Sequence, residues 1–218
     1  MTQNNEWYVP WDEELIRKYD INAPRYTSYP TALEFHEAFT ISDLDMACGQ
    51  YPDRPLSLYI HIPFCHKLCY YCGCNKVITR HQHKADDYLQ VLIHEIKQRA
   101  PLINQRQVTQ LHFGGGTPTF LTKTQMTRIM TALREEFTFT TDAEISIEVD
   151  PREIELDMLD HLRSEGFNRL SIGVQDFDKE VQVLVNREQD EDFIISMVAR
   201  AKSLGFRSTN LDLIYGLP

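Results

Sequence analysis

The chain has 218 residues, 42% of them hydrophobic and 25% charged, which is enough apolar material for a buried core and gives no reason to read it as disordered. A formal net charge of -10 argues against a broad nucleic-acid or anionic-membrane surface, since both demand clustered Lys and Arg, and favours a small-molecule ligand held by local charge. No apolar stretch approaches the roughly 20 residues that cross a bilayer, and the start, MTQNNEWYVPWDEE, lacks the basic and apolar regions of a signal peptide, so a cytoplasmic protein is expected. Residues 1–55 are expected to form an amino-terminal segment of their own. Within it the stretch 23–31 sets two prolines and two tyrosines around Arg25 and reads as an extended arm, with a tail packed on the surface as the plainer alternative. From residue 56 onward strands and helices alternate. A first strand over 56–62 is closed by Pro63, and a helix over 86–100 carries Leu89, Leu92, Ile93 and Ile96 at helical spacing before Pro101. A second strand over 108–113 runs into Gly114-Gly115-Gly116-Thr117-Pro118, and Met126, Ile129, Met130, Leu133 and Phe137 mark a helix capped near Thr122. A third strand over 143–149 leads to a helix around Leu156, Leu159 and Leu162 that Gly166 stops. A fourth over 169–174 leads to helical segments including 193–204, stopped at Gly205, and a fifth strand spans 209–214. This alternation predicts an α/β fold of parallel βαβ units with right-handed crossovers.

Ligands in such folds collect at the carboxyl ends of the strands, and every unusual motif of this chain falls at one of those ends. Four of the five cysteines crowd into residues 65–74, which suits metal binding in a reducing compartment better than a disulfide framework. Cys65, Cys69 and Cys72 stand at the spacing C-x3-C-x2-C, which suits a [4Fe-4S] cube with one iron left open. Structural zinc is the competing reading; it would take four ligands, typically from two separated pairs, and no second cysteine pair occurs. Cys48, alone, is expected to be a buried or half-buried thiol. Glycine costs roughly 0.5 to 1 kcal/mol relative to alanine, so three in succession at 114–116 imply a turn or a close backbone approach.

Glu148 and Asp212 lie on apolar strands, where an unpaired carboxylate would cost several kcal/mol, so each needs a donor. An ion pair of Glu148 with Arg152 or Arg169 is the structural alternative. Gln175 offers donors and acceptors at the end of the fourth strand, and Arg187 offers a fork suited to a carboxylate unless it simply faces solvent. Asp150, Arg152 and Asp176 are weaker candidates. None of His61, His66, His81, His83 and His112 is expected to be a ligand, because a lone histidine is more often a satisfied polar residue. No Ser/His/Asp constellation or paired-carboxylate set is apparent.

The run Tyr59-Ile-His-Ile-Pro-Phe-Cys65-His-Lys-Leu-Cys69-Tyr-Tyr-Cys72-Gly-Cys74-Asn75 resembles the cluster loop of the radical S-adenosylmethionine (SAM) enzymes, and in particular of the oxygen-independent coproporphyrinogen III oxidase family. The resemblance extends from about residue 24 to the last residue. It implies a partial (β/α)6 TIM-like barrel, with 56–218 as a radical SAM core truncated after the fifth strand, leaving part of the pocket uncovered. It implies Cys65, Cys69 and Cys72 as ligands of a [4Fe-4S] cluster and Cys74 as the family's further, non-ligating thiol. It places Gly115, Gly116 and Thr117 against the methionyl group of SAM, Tyr59 and Tyr71 in packing on it, and Glu148, Gln175, Arg187 and Asp212 among its polar partners, with a second SAM beside the first. The arm becomes a lid, and Arg25 a partner for a substrate propionate.

The implied activity belongs to haem biosynthesis: oxidative decarboxylation of two propionates of coproporphyrinogen III to vinyl groups, giving protoporphyrinogen IX. An electron-donor protein is the expected partner of a monomeric enzyme that binds neither nucleic acid nor membrane. Two other readings stay open. A haem-chaperone relative would share the cluster loop, although Cys74 and the arm favour the oxidase; a non-catalytic metal-binding domain would share only the thiols.

Overall fold

The computed structural model describes residues 10–21, 31–51, 53–103 and 106–218. Arg25 and most of the expected arm lie outside the described residues. The chain forms two compact units, Met1–Ile41 and Ser42–Pro218. The first contains helix α1 (Glu13–Tyr19), whose N-cap Asp12 accepts from the Leu15 amide at 2.9 Å, with Glu13 and Glu14 placed favourably against the helix dipole.

Helix α2 (Ile41–Gly49) precedes strand β1 (Leu56–Ile62). Then come the two-residue strands β2 (Phe64–Cys65) and β3 (Val77–Ile78), helix α3 (Lys84–Arg99), strand β4 (Gln107–Gly115), helix α4 (Lys123–Glu136) and strand β5 (Thr138–Val149). Helix α5 (Leu156–Ser164), strand β6 (Arg169–Gln175), helices α6 (Lys179–Leu184) and α7 (Glu191–Ser203) and strand β7 (Ser208–Leu213) complete the order. The five long strands form one sheet in the order β1-β4-β5-β6-β7, and every neighbouring pair is parallel. This is the parallel sheet that the alternation of elements predicts, and it fits the partial TIM-like barrel that the resemblance implies.

The pleat sorts the side chains. Ile60 and Ile62 of β1, Leu111 and Phe113 of β4, Ile145, Ile147 and Val149 of β5, and Leu170 and Ile172 of β6 point into one continuous core. Leu89 and Ile96 of α3, Met126, Ile129, Met130 and Leu133 of α4, Leu159 and Leu162 of α5, and Ile194 and Met197 of α7 cover that face. The alternate positions carry Tyr59, His61, His112, Ser146, Glu148, Ser171, Asn210 and Asp212. A parallel sheet buried on both faces reads as continuous apolar runs, so this polar set marks the second face as a ligand-facing one.

The helices begin and end where the sequence signals place them. Thr122 accepts from the Gln125 amide at 3.2 Å while the Gln125 side chain accepts from the Thr122 amide at 3.0 Å, a complete capping box for α4. Gly166 and Gly205 follow α5 and α7 with φ of 89° and 77°, left-handed conformations that other residues adopt at a cost. The differences from expectation are local. Strand β5 starts at Thr138, because Thr138 and Phe139 pair with Gln107 and Val108 before a register shift, without an apolar alternation to announce them. The ladder of β2 and β3, pairing Phe64 with Val77 and Cys65 with Ile78, is too short to show a period. The helices α1, α2 and α6 are likewise only 7, 9 and 6 residues long.

Helices α4 and α5 are joined through Glu165. Arg134 donates to its Oε2 at 2.8 Å and to its carbonyl at 2.6 Å, and Thr127 donates to Oε1. Burial alone would raise the Glu165 carboxyl, but the Thr127 and Arg134 bonds outweigh it and lower the folded-state value. The stabilisation is therefore complete above the unfolded glutamate value and is lost as pH falls through the lowered one. Glu165→Gln should flatten the acid limb of the stability curve, with the two proteins converging at low pH in urea titrations. Thr122→Ala should cost about 1 kcal/mol in the same titrations at neutral pH, the usual value of an N-cap.

Candidate functional site

The cysteine loop connects β1 to α3 and folds back over the carboxyl ends of β1 and β4. Main-chain bonds hold it there: the Gly116 amide donates to the Ile62 carbonyl at 2.8 Å, the Thr117 amide to Phe64 at 2.8 Å, and the Thr79 amide to Cys65 at 2.9 Å. The glycine run makes this approach possible. A Cβ on Gly116 would stand 2.7 Å from the Pro63 oxygen and 2.9 Å from the Cys65 Sγ; one on Gly115, at φ 119°, would stand 2.8 Å from the His61 ring. A Cβ on Gly114 would meet Glu148 Oε1 and the Tyr59 ring, each at 3.0 Å. Both readings of the run apply, a turn and a close approach; Gly116 meets the cysteine loop, Gly115 meets β1, and Gly114 meets Glu148 and Tyr59.

Cys65, Cys69 and Cys72 line one cleft at this end of the sheet. Thr117 Oγ1 donates to Cys65 Sγ at 3.3 Å, and Cys69 Sγ, which is buried, accepts from Arg152 Nη2 and Arg187 Nη1, each at 3.2 Å. Burial pushes the Cys65 thiol up, the Thr117 bond opposes it, and the neighbouring Cys72 and Asp150 add to it. A cation bound here would therefore displace a proton from Cys65. Cys74, exposed at its residue level, also has its thiol raised, first by desolvation of the sulfur and then by Cys72. Cys48 is half-buried, as expected. Among the described residues no three His, Cys, Asp or Glu side chains are set to hold a single metal ion.

The same cleft takes in Tyr71, Gly115, Gly116, Thr117, Glu148 and Gln175. Arg187 and Asp212 line it as well. Tyr59 does not; it is 58% exposed, stacks on His112 at 5.8 Å and donates to or accepts from His61 Nδ1 at 3.1 Å. Burial also raises the Tyr71 phenol, against the opposing pull of Arg187, so that it stays protonated.

Each carboxylate that the sequence singled out has a donor. Glu148 Oε2 accepts from the Gly115 amide at 3.2 Å, and its Oε1 lies 3.4 Å from His112 Nε2. Asp212 accepts from Ser171 Oγ at 2.9 Å and from Asn210 Nδ2 at 2.6 Å. The ion pair expected as an alternative for Glu148 is not formed, because Arg152 pairs with Asp150 at 2.6 Å and Arg169 with Glu144 at 2.7 Å. Arg187 does not face solvent. It is 7% exposed, donates to the Gly173 carbonyl, and keeps a buried Nε with no hydrogen-bond partner. Gln175 holds φ at 70°, a strained conformation for a residue with a side chain and one that clusters at functional sites.

Asp150 and Arg152 are more central than their sequence pattern suggests. Burial would raise the Asp150 carboxyl, but Arg152 and Arg187 outweigh it and hold it below the usual carboxylate range. A carboxylate two residues before an arginine, after an apolar strand, was the available signal; nothing in it reveals a cysteine 83 positions away as the third partner. Asp176 takes a local role, accepting from the Asp178 amide at 2.8 Å. Lys76, not singled out, donates to the Cys72 and Cys74 carbonyls at 2.8 and 3.2 Å and pins the end of the loop.

Gly116→Ala should lower the iron and sulfide retained after anaerobic reconstitution about tenfold, since overpacking of this kind costs 1–3 kcal/mol, while circular dichroism stays unchanged. Equal metal content in the variant would show that the close approach has no bearing on the thiols.

Comparison with known proteins gives concordant results. Residues 59–218 match the family model described as the radical SAM superfamily. The oxygen-independent coproporphyrinogen III oxidase of Salmonella typhimurium is 67% identical over 214 residues, covering 98% of this chain and 47% of that protein. That of Mannheimia haemolytica is 62% identical over 143 residues, 66% of this chain and 98% of that protein. The solved coproporphyrinogen III oxidase (HemN) of Escherichia coli, described as a radical SAM enzyme, superposes with a TM-score of 0.88 at 66% identity, over 96% of this chain and 47% of the other. The chain thus spans about half the length of the Salmonella and Escherichia relatives.

Proposed function

Because the chain belongs to the radical SAM superfamily and, within it, to the oxygen-independent coproporphyrinogen III oxidases, we propose that it forms the cluster- and SAM-binding portion of an enzyme of anaerobic haem biosynthesis. The reaction is the oxidative decarboxylation of two propionates of coproporphyrinogen III to vinyl groups, giving protoporphyrinogen IX. Each conversion removes carbon dioxide, one hydrogen atom and one electron from a propionate. The observation that carries the reading is the gathering of three thiols, the glycine run and four separated polar residues, Glu148, Gln175, Arg187 and Asp212, around one cleft.

The donor set suits the cofactors. Cys65, Cys69 and Cys72 would hold a [4Fe-4S] cluster, and their loop is already fixed by main-chain bonds to β4. Two buried guanidinium groups face the Cys69 sulfur, where a thiolate ligand of an anionic cluster would sit. The orphan Nε of Arg187 is a buried donor without a partner, a feature a native interior rarely leaves unexplained, and an amino-acid carboxylate would satisfy it. Glu148 and Asp212 offer acceptors for ribose hydroxyls or an amino group, and the Tyr71 ring offers an apolar wall. When bound, the cluster and SAM supply one-electron, hydrogen-abstracting chemistry at a carbon that no side chain here could attack.

The chain's own residues bind, orient and exclude water, so the reading asks no acid/base step of them. The helices cover the opposite face, so the cleft lies among polar side chains at the strand ends rather than in the core. Among the described residues no helix is long and apolar enough to cross a membrane. An electron-donor protein and a second SAM molecule complete the proposal.

The test is low-temperature electron paramagnetic resonance of the chain loaded anaerobically with iron and sulfide, then reduced, with and without SAM. A [4Fe-4S]+ signal that changes on adding SAM is expected, followed by porphyrinogen turnover in a chain of the relatives' full length. Zinc without sulfide, or a cluster signal indifferent to SAM in the full-length chain, would overturn the reading.

A further inference from the structure

We propose that Arg152 positions the Cys69 sulfur and raises the reduction potential of the cluster that Cys69 would ligate, acting with Asp150 and Arg187 as a buried group of net positive charge. The inference rests on the proposed cluster site and adds to it a residue outside the motif and a property that the motif does not set.

Charge counting comes first. The side chains of Arg152, Asp150 and Arg187 are 5%, 9% and 8% exposed, so water screens none of them well. Asp150 Oδ2 accepts from Arg152 Nη2 at 2.6 Å and from Arg187 Nη1 at 3.3 Å, and its Oδ1 accepts from Arg152 Nε at 3.0 Å. One carboxylate neutralises one guanidinium. The second positive charge is left over in a buried place, which is costly unless something negative faces it. What faces it is Cys69 Sγ, at 3.2 Å from each guanidinium.

Geometry then separates Arg152 from a simple counter-ion. Its Nη1 donates to the Asn186 carbonyl at 3.1 Å, so one planar fork reaches the end of β5, the cysteine sulfur and the 185–187 loop together. That loop is tied to the cysteine loop at two more points. The Tyr70 amide donates to Val185 at 3.1 Å, and Asn186, at φ 56°, donates from Nδ2 to the Leu68 carbonyl at 2.7 Å. Lysine keeps the charge but lacks the planar fork that grips Asp150 through two nitrogens.

The effect on potential follows from charge. Reduction adds one electron, and so one negative charge, to a thiolate-ligated cluster, and hydrogen bonds from cations to a ligand sulfur favour the more negative state. Removing Arg152 cancels the surplus charge, since Arg187 and Asp150 then balance. Neutralising Asp150 doubles it. The two changes should therefore shift the potential in opposite directions, whereas a clamp with only a structural role gives no reason for opposite signs.

The experiment is a mediated titration with dithionite of the iron- and sulfide-loaded chain, read by visible absorbance and electron paramagnetic resonance rather than by turnover. For Arg152→Gln we expect the ratio of reduced to oxidised cluster at a set potential to fall about tenfold, equivalent to about -59 mV for a one-electron couple. Asp150→Asn should shift the midpoint upward, and Arg152→Lys should fall between Arg152→Gln and the wild type. If Arg152→Gln takes up no cluster, Arg152→Lys against Asp150→Asn decides the sign. Equal potentials, or shifts of the same sign, would overturn the inference while leaving the site reading intact. A wild-type chain that takes up no iron and sulfide would remove the site reading and this inference with it.

Discussion

A pleated strand sends successive side chains to opposite faces, and in this chain that rule decides what is core and what is site. On β5 the residues Ile145, Ile147 and Val149 enter the core while Ser146 and Glu148 between them face the other way. On β4 the same alternation buries Leu111 and Phe113 and presents His112 to Ser146 at 2.7 Å. A slip of one residue would exchange the two sets, placing Glu148 among the leucines and isoleucines of the helices. The burial of the apolar set against α3, α4, α5 and α7 therefore fixes the register of the polar set. The position of the cleft residues is a by-product of core formation.

The loop that carries the thiols depends on that sheet in turn. It is long and irregular, yet main-chain bonds tie it to the end of β4 and close the short ladder of β2 with β3. Gly116 lets it lie directly on the end of β4 while Gly115 clears β1, and the cost of their conformational freedom in the unfolded chain is the condition for that contact. The second anchor is electrostatic. Asp150, at the end of β5, holds Arg152 and Arg187 in place, and both guanidinium groups turn to Cys69. Sheet register, glycine clearance and a buried ion cluster thus act on the same ten residues of chain.

Much of this was legible in advance because it is local. Thr122 with Gln125, Gly166 and Gly205 signal helix ends through contacts within a turn, and the structure places those ends accordingly. The cysteine spacing and the glycine run are local too, and both fall at the cleft. Tyr59, which the family resemblance places against SAM, has its ring beside Gly114. It lies on the polar face, but its ring stacks on His112 and stays outside the cleft lining. Arg152, a weaker candidate from its sequence pattern, touches the Cys69 sulfur.

The sequence by itself determined the order of the five long strands and of the main helices between them, the parallel sheet, the side of each strand that is apolar and the three thiols at their spacing, because each depends on neighbours a few residues apart. Only the tertiary structure decided which cations meet which anions. Glu148 had two plausible arginines and pairs with neither, since Arg152 is claimed by Asp150 and Arg169 by Glu144. Arg187 could have faced solvent and is buried against Cys69, 118 positions away. Long, flexible charged side chains reach several partners of similar local merit, and the choice is made by desolvation and geometry that exist only after the sheet has closed on its helices.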